Sequence, residues 1–123
     1  MRHVPAAQIA TDADGAGLSA AWLAGPHQDT NLDVGLVSFD AGSATPPHVH
    51  HVGQVLVVLS GRGFVRTDDR RIDVAVGDVV VTPAGEWHVH GAATDEPMTH
   101  LSVTAGTNEI QPDRYDGPVS SLA

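Results

Sequence analysis

Gly42-Ser43-Ala44-Thr45-Pro46-Pro47-His48-Val49-His50-His51-Val52-Gly53-Gln54-Val55-Leu56-Val57-Val58-Leu59-Ser60-Gly61 is the stretch on which the fold of this chain turns. Pro46 and Pro47 cannot donate ladder hydrogen bonds, so they mark the entry to a strand and not its middle. The Val-rich run after Gly53 is β-branched and suits a pleated surface. Side chains alternate across a strand, so residues of equal parity share a face. An extended path from His48 to Gln54 therefore sends His48, His50 and Gln54 one way and His51 the other.

The texture on either side is the same: short apolar runs broken by Gly, Pro, Asp and Ser, with little sustained helical periodicity. This predicts an all-β chain. The candidate strands are Gly17 to Leu23, Asp33 to Phe39, Gln54 to Leu59, Gly63 to Thr67, Arg70 to Val76, Asp78 to Thr82, Trp87 to Ala92 and Met98 to Thr104. Gly63 to Val76 reads as a hairpin turning at Asp68 and Asp69, with Ile72, Val74 and Val76 alternating on the return. Gly61, Gly77, Pro83 and Gly85 punctuate the runs. Strands so short and evenly spaced fit a sandwich or closed barrel. One domain is expected, with residues 1–30 as an N-terminal segment carrying an edge strand, 31–106 as the barrel core and 107–123 as a tail. That tail carries Pro112, Gly117 and Pro118 and either wraps a partner subunit or moves freely.

The length of 123 residues is enough for one core without staples. Six basic residues stand against 15 acidic ones, giving a net charge of -9. A surface so acidic repels phosphate backbones and anionic lipid, so neither nucleic acid nor a membrane is an expected partner. The basic residues are all Arg, which removes Schiff-base and P-loop lysine chemistry, and the absence of Cys removes thiolate ligands, thiol nucleophiles and disulfides. Residues Met1 to Ala10 lack a continuous apolar run after their Arg, no stretch is long enough to span a bilayer, and a cytoplasmic location is the expectation.

Eight His in so short a chain is the outstanding compositional fact. Five fall in two clusters, His48/His50/His51 and His88/His90, and His100 follows. Parity pairs His88 with His90 and turns Trp87 and Val89 away from them. Two strands that present nitrogen and oxygen donors to one interior, flanked by Val-rich faces, make a site that a bound ion would reward. The minimum set is His48, His50, Gln54 and His88.

These residues match a known pattern. Gly42, five residues, His48, one residue, His50, three residues, Gln54, six residues, Gly61 resembles the first cupin motif. Gly77, five residues, Pro83, one residue, Gly85, two residues, His88 resembles the second. The resemblance spans Gly42 to Ala92 and implies a jelly-roll barrel (a double-stranded β-helix) of the cupin type, with the metal inside and two chains paired as a homodimer. Gln54 stands where most cupins have Glu, and Ala92 where many have Asn. Three neutral imidazoles and a neutral amide leave the ion's charge uncompensated, which makes it a stronger Lewis acid and a poorer host for a higher valence. That tilts the expectation from oxidation toward lyase, isomerase or cyclisation chemistry.

A narrower resemblance lies in Gly53 to Val58, Gly77 to Val80, Pro83 to Ala93 and Met98-Thr99-His100-Leu101, which look like the small bacterial cupins that include manganese-dependent hydroxynitrile lyases. The resemblance implies metal ligation by His48, His50, Gln54 and His88, pocket positions for His90 and His100, and a general-base role for His100. His90 would hydrogen-bond the leaving cyanide or supply its proton. Titration near the ordinary imidazole value would make both roles available close to neutrality. The implied cofactor is a divalent metal, Mn2+ first, with Fe2+, Ni2+, Co2+ and Zn2+ as alternatives, and the implied partner is a small carbonyl-derived substrate. Two other classes stay open: a cupin dioxygenase or polyketide-cyclase-type enzyme, and a non-catalytic small-molecule-binding barrel.

Pattern alone leaves His100 open, because its strand can equally turn Leu101 and Val103 inward. His51 is expected on the barrel exterior or at a dimer contact, and His3 and His27 in solvated loops. Trp22 lies in a segment able to cover a barrel mouth, though packing is the commoner use of Trp22 and Trp87. Phe39 and Phe64 are expected in the core. Asp68, Asp69, Asp73 and Glu86 are expected on the surface.

Overall fold

The computed structural model describes residues 1–25, 30–106 and 108–110. Among the described residues, a 3-10 turn at Ala6–Gln8 precedes ten strands: β1 (Thr11–Ala13), β2 (Leu18–Ala24), β3 (Leu32–Phe39), β4 (His48–His50), β5 (Gly53–Arg66), β6 (Arg71–Ala75), β7 (Val79–Pro83), β8 (Val89–Ala92), β9 (Met98–Ala105) and β10 (Asn108–Ile110). All the strand pairings are antiparallel. The order β1-β2-β3-β9-β5 forms one wall, to which β7 adds on the far side of β5. The second wall holds β6, the later half of β5, and β8, and backbone bridges from Ala44 to Gly91 and from His48 to His88 carry it on to β4.

One strand joins the walls. The sequence reading ends one run at Leu59 and starts another at Gly63, but β5 runs unbroken for 14 residues. Its register shifts between Val58 and Ser60, and Gly61 follows with φ 73°. A bulge plus one residue in the left-handed region bends a strand without ending it. A side chain at Gly61 would also overlap the Pro97 carbonyl, so glycine serves here as a bend and not as a terminator. The hairpin lies where expected: Arg66 pairs with Arg71, and the Thr67 amide donates to the Arg70 carbonyl at 2.9 Å.

β4 and β5 correct a second expectation. The chain is not extended from His48 to Gln54, because His51 and Val52 turn between the two strands. The three side chains converge because β4 and β5 lie in facing walls, not because they share one strand. β1 and β10 are strands without counterparts in the sequence reading. β10 falls within the segment read as a tail, and it pairs Asn108, Glu109 and Ile110 with His50, Val49 and His48. The remainder of that tail, and His27, lie outside the described residues.

The apolar core has two parts. Phe39, Val58, Val74, Ala92 and Met98 close the space between the walls at one end. Val49, Phe64, Trp87 and Val89 pack together as a second cluster, with the Arg66 guanidinium over the Trp87 ring and that of Arg71 over the Phe64 ring. Phe39 and Phe64 are thus both buried. No helix among the described residues is long and apolar enough to cross a membrane.

Candidate metal centre

Between the walls, at the end away from the Phe39 cluster, β4, β5 and the start of β8 bring their polar side chains together. His48 and His88 exchange backbone hydrogen bonds at 3.1 and 3.0 Å. Such a directly opposed pair puts both side chains on one face, and the two rings lie 4.3 Å apart between centroids. His50 is two residues from His48 and so shares its face. One ring nitrogen from each of His48, His50 and His88 falls within 4.8 Å of the others, and all three residues are buried. Gln54 enters from β5, buried to 6% exposure.

The hydrogen bonds orient these groups for an electrophile. His48 Nδ1 is 2.8 Å from the Pro46 carbonyl and His88 Nδ1 is 2.9 Å from the Glu86 carbonyl. A carbonyl only accepts, so each Nδ1 carries the proton and each Nε2 keeps its lone pair. Fixing the tautomer of a ligand through its outer nitrogen is a usual support for metal binding. Gln54 Nε2 donates to the Ser102 hydroxyl at 2.9 Å, leaving Gln54 Oε1 directed at His88 Nε2, 3.1 Å away. In the neutral imidazole these are two acceptors facing each other. His50 Nε2 is buried with no hydrogen-bond partner among the described residues.

A positive ion satisfies all of these lone pairs together. The donors fit a divalent cation: three imidazole nitrogens, one amide oxygen, and no carboxylate among the four. Burial is the main cause that lowers His48, His50 and His88 to a pKa of about 4, from the ordinary 6.5. Repulsion from His88 adds to this at His48, and repulsion from His48 adds to it at His50. All three rings are therefore neutral, and able to ligate, at neutral pH.

A second imidazole pair adjoins the first group. The rings of His48 and His90 lie 5.1 Å apart and those of His88 and His90 5.5 Å apart. His100 Nε2 is 3.0 Å from His90 Nδ1. His100 therefore points into the interior, where it is 1% exposed, and Leu101 and Val103 face the other way. Phe39 packs on both rings, 5.8 Å from His90 and 5.3 Å from His100. Burial lowers His100 to about 4 and holds His90 well below the ordinary imidazole value, so the expectation of titration near 6.5 does not hold. Hydration of the imidazolium is lost inside the barrel, and the neutral form dominates. His90 Nε2 and His100 Nδ1 are buried without hydrogen-bond partners among the described residues.

The other singled-out residues lie outside this group. His51 is exposed, with Nε2 3.4 Å from a Glu109 carboxylate oxygen, and His3 and Glu86 are exposed. Trp87 is buried in the second apolar cluster. Trp22 is 37% exposed, and its ring occupies the space above Gly35 that a Cβ would approach to 3.3 Å. Ser102, which accepts from Gln54, is the residue of this candidate site that sequence reasoning missed. Its signal was available, because it shares parity with His100, but an isolated Ser in a strand carries no ligand signature of its own.

A family model described as a cupin domain matches residues 35–104, and the chain belongs to that family. Its fold is the cupin jelly roll. Among curated proteins it resembles an (R)-mandelonitrile lyase of Granulicella tundricola, 40% identical over 68 residues, or 54% of this chain and 52% of that protein. It also resembles a gentisate 1,2-dioxygenase of a Ralstonia species, 33% identical over 63 residues, or 50% of this chain and 18% of that protein. The matched region thus spans about half of the lyase and less than a fifth of the dioxygenase. A cupin-like protein of Thermotoga maritima superposes with a TM-score of 0.73 at 31% identity, covering 76% of this chain and 75% of that one. A polyketide cyclase of Streptomyces resistomycificus shares the fold, at 19% identity and a TM-score of 0.73, over 88% of this chain and 81% of that one.

Proposed function

We propose that the chain is a metal-dependent enzyme that makes or breaks a carbon-carbon bond in a small carbonyl-derived substrate, with cyanohydrin cleavage as the reaction. The observation that carries this reading is an uncharged set of metal donors, His48, His50, Gln54 and His88, beside a buried imidazole pair with two unused nitrogens. Similarity to the mandelonitrile lyase supports it. A divalent cation held there, manganese first, would supply Lewis acidity that lowers the pKa of a substrate hydroxyl.

The protein's own contribution is proton handling. One nitrogen of the His90–His100 contact donates and the other accepts, so each neutral ring has one nitrogen left. Whichever way the shared proton lies, one free end is a lone pair and the other an N–H. The pair thus offers a base and an acid at once. Removing the hydroxyl proton lets the oxygen electrons form the carbonyl, and the carbon-carbon bonding pair leaves with cyanide. The proton returned from the pair's other end gives hydrogen cyanide and an aldehyde, and both rings finish neutral in the opposite tautomers. No imidazolium is required, which suits a site where burial disfavours it.

The test is benzaldehyde release from mandelonitrile by manganese-loaded protein, against chelator-stripped protein and a His100→Ala variant. Release that requires both manganese and His100 is expected. No release from protein holding one manganese per chain would overturn the lyase reading. The second reading, a dioxygenase, draws on the match to gentisate dioxygenase, and oxygen uptake by the iron-loaded protein would favour it.

A further inference from the structure

Trp22 faces the interior and yet meets water. On β2, Leu18, Ala20 and Trp22 stand opposite Phe39, Val37 and Gly35 of β3, and directly opposed residues of an antiparallel pair share a face. Phe39 lies in the core between the walls, and Leu18 packs against that cluster. Trp22 is therefore on the same inner face, toward the end that holds the metal donors, but it is 37% exposed. An inward side chain that water still reaches lines the opening between the walls.

Gly35 fixes where the ring lies. Its backbone stays out of the left-handed region, so its conformation does not call for glycine. A glycine inside a strand then marks a close approach, and here the approaching group is the indole, whose Cε3 and Cζ3 stand 3.3 and 3.4 Å from the position a Cβ would take. The six-membered edge of the indole thus reaches over β3, one strand nearer the donors than β2 itself. Gly35 pairs in turn with Ser102 on β9, and Ser102 with Leu56 on β5. These three make one inward row, and Gln54, which donates to Ser102, is the next inward residue of β5. At about 4.8 Å per strand, the indole edge and the strand of Gln54 are about 10 Å apart.

We propose that Trp22 is the platform for the substrate's substituent and selects a flat aromatic ring over a saturated one of the same size. The inference rests on the lyase reading and adds to it the residue that sorts substrates. A cyanohydrin whose hydroxyl oxygen lies at the donors can extend its substituent along the row of Ser102 and Gly35. A span of about 10 Å holds one ring plus the distance at which aromatic pairs meet, roughly 4.5–7 Å between centroids. A cyclohexyl group fills the same space but has no quadrupole to match that of the indole. Trp22 also brings no charge, and a molecule with a net charge of -9 disfavours an anionic substituent at its mouth.

The experiment compares kcat/KM for mandelonitrile with kcat/KM for cyclohexanecarbaldehyde cyanohydrin in the manganese-loaded wild type, Trp22→Leu and Trp22→Phe. The ratio of the two should fall about 5-fold in Trp22→Leu and stay within about 2-fold in Trp22→Phe, which keeps an aromatic face. A second readout needs no turnover. The chain has two Trp, and Trp87 is buried in the second apolar cluster, so benzyl alcohol that displaces water from Trp22 should shift the emission to the blue. The shift should half-saturate at a lower concentration than with cyclohexylmethanol and vanish in Trp22→Phe. An unchanged ratio in folded, manganese-binding Trp22→Leu protein, an emission that benzyl alcohol does not move, or equal half-saturation by the two alcohols would each overturn the proposal. Failure of the wild type to cleave either cyanohydrin, with the shift and its preference intact, would remove the lyase reading and support the platform.

Discussion

The side-chain amide nitrogen of Gln54 donates to the Ser102 hydroxyl across 2.9 Å, and this bond turns the amide oxygen toward His88. An amide is asymmetric: its oxygen can ligate a cation and its NH2 cannot. By accepting from the NH2 end, Ser102 holds Gln54 with its oxygen facing the imidazoles. Ser102→Ala should weaken manganese binding by about 10-fold or more, the range seen when a supporting hydrogen bond to a ligand is lost. Equilibrium dialysis against manganese measures it, and unchanged affinity would show that the amide is held some other way.

Gln54→Glu tests the charge of the site. A carboxylate offsets one unit of the cation's charge, so binding should tighten while the acidifying effect on a bound hydroxyl falls. Manganese affinity should rise and mandelonitrile turnover should drop. The two carboxylate oxygens are equivalent, so adding Ser102→Ala to this variant should cost less affinity than it does in the wild type. A double-mutant cycle reads that coupling, and additive effects would contradict the orienting role of Ser102.

Acid sensitivity of the metal-free protein follows from the buried rings. His48, His50, His88 and His100 titrate at about 4 when folded against 6.5 ordinarily. Between these values the unfolded chain binds more protons than the folded one, so stability falls as the pH falls. The melting temperature should hold above about 6.5, decline toward about 4 and level off below. His100→Gln should flatten part of that decline. A melting temperature independent of pH through this window would place the rings in contact with water.

The imidazole pair makes a separate prediction. His100 meets His90 but none of the three clustered imidazoles, so His100→Ala should leave manganese affinity within about 3-fold while removing turnover, if one good proton-transfer group is worth about 100-fold or more. Steady-state mandelonitrile cleavage together with dialysis separates the two effects. Loss of metal along with turnover would make His100 part of the binding set.

Short apolar runs broken by Gly, Pro, Asp and Ser made the all-β class legible in the sequence, and the spacing of His48, His50, Gln54 and His88 made the candidate site legible. The reading missed β1 and β10, because a three-residue strand is too short to show a period. It broke β5 at Gly61 because a glycine in a bulge and a glycine in a turn look alike in one dimension; what distinguishes them is the Pro97 carbonyl packed against the missing side chain. Parity left the side chosen by His100 undecided, and the contact that decides it, the bond to His90, joins residues on different walls. Burial, which moves the imidazoles far from 6.5, is likewise a property of the folded interior.

Metal content measured after exhaustive dialysis against manganese, for the wild type and for His48→Ala, His88→Ala and His100→Ala, tests the central claim most directly. One ion per chain in the wild type and in the His100 variant, with none retained in the His48 and His88 variants, is the predicted result. Equal retention in all four proteins, or none in the wild type, would contradict the assignment of His48, His50, Gln54 and His88 as the metal centre.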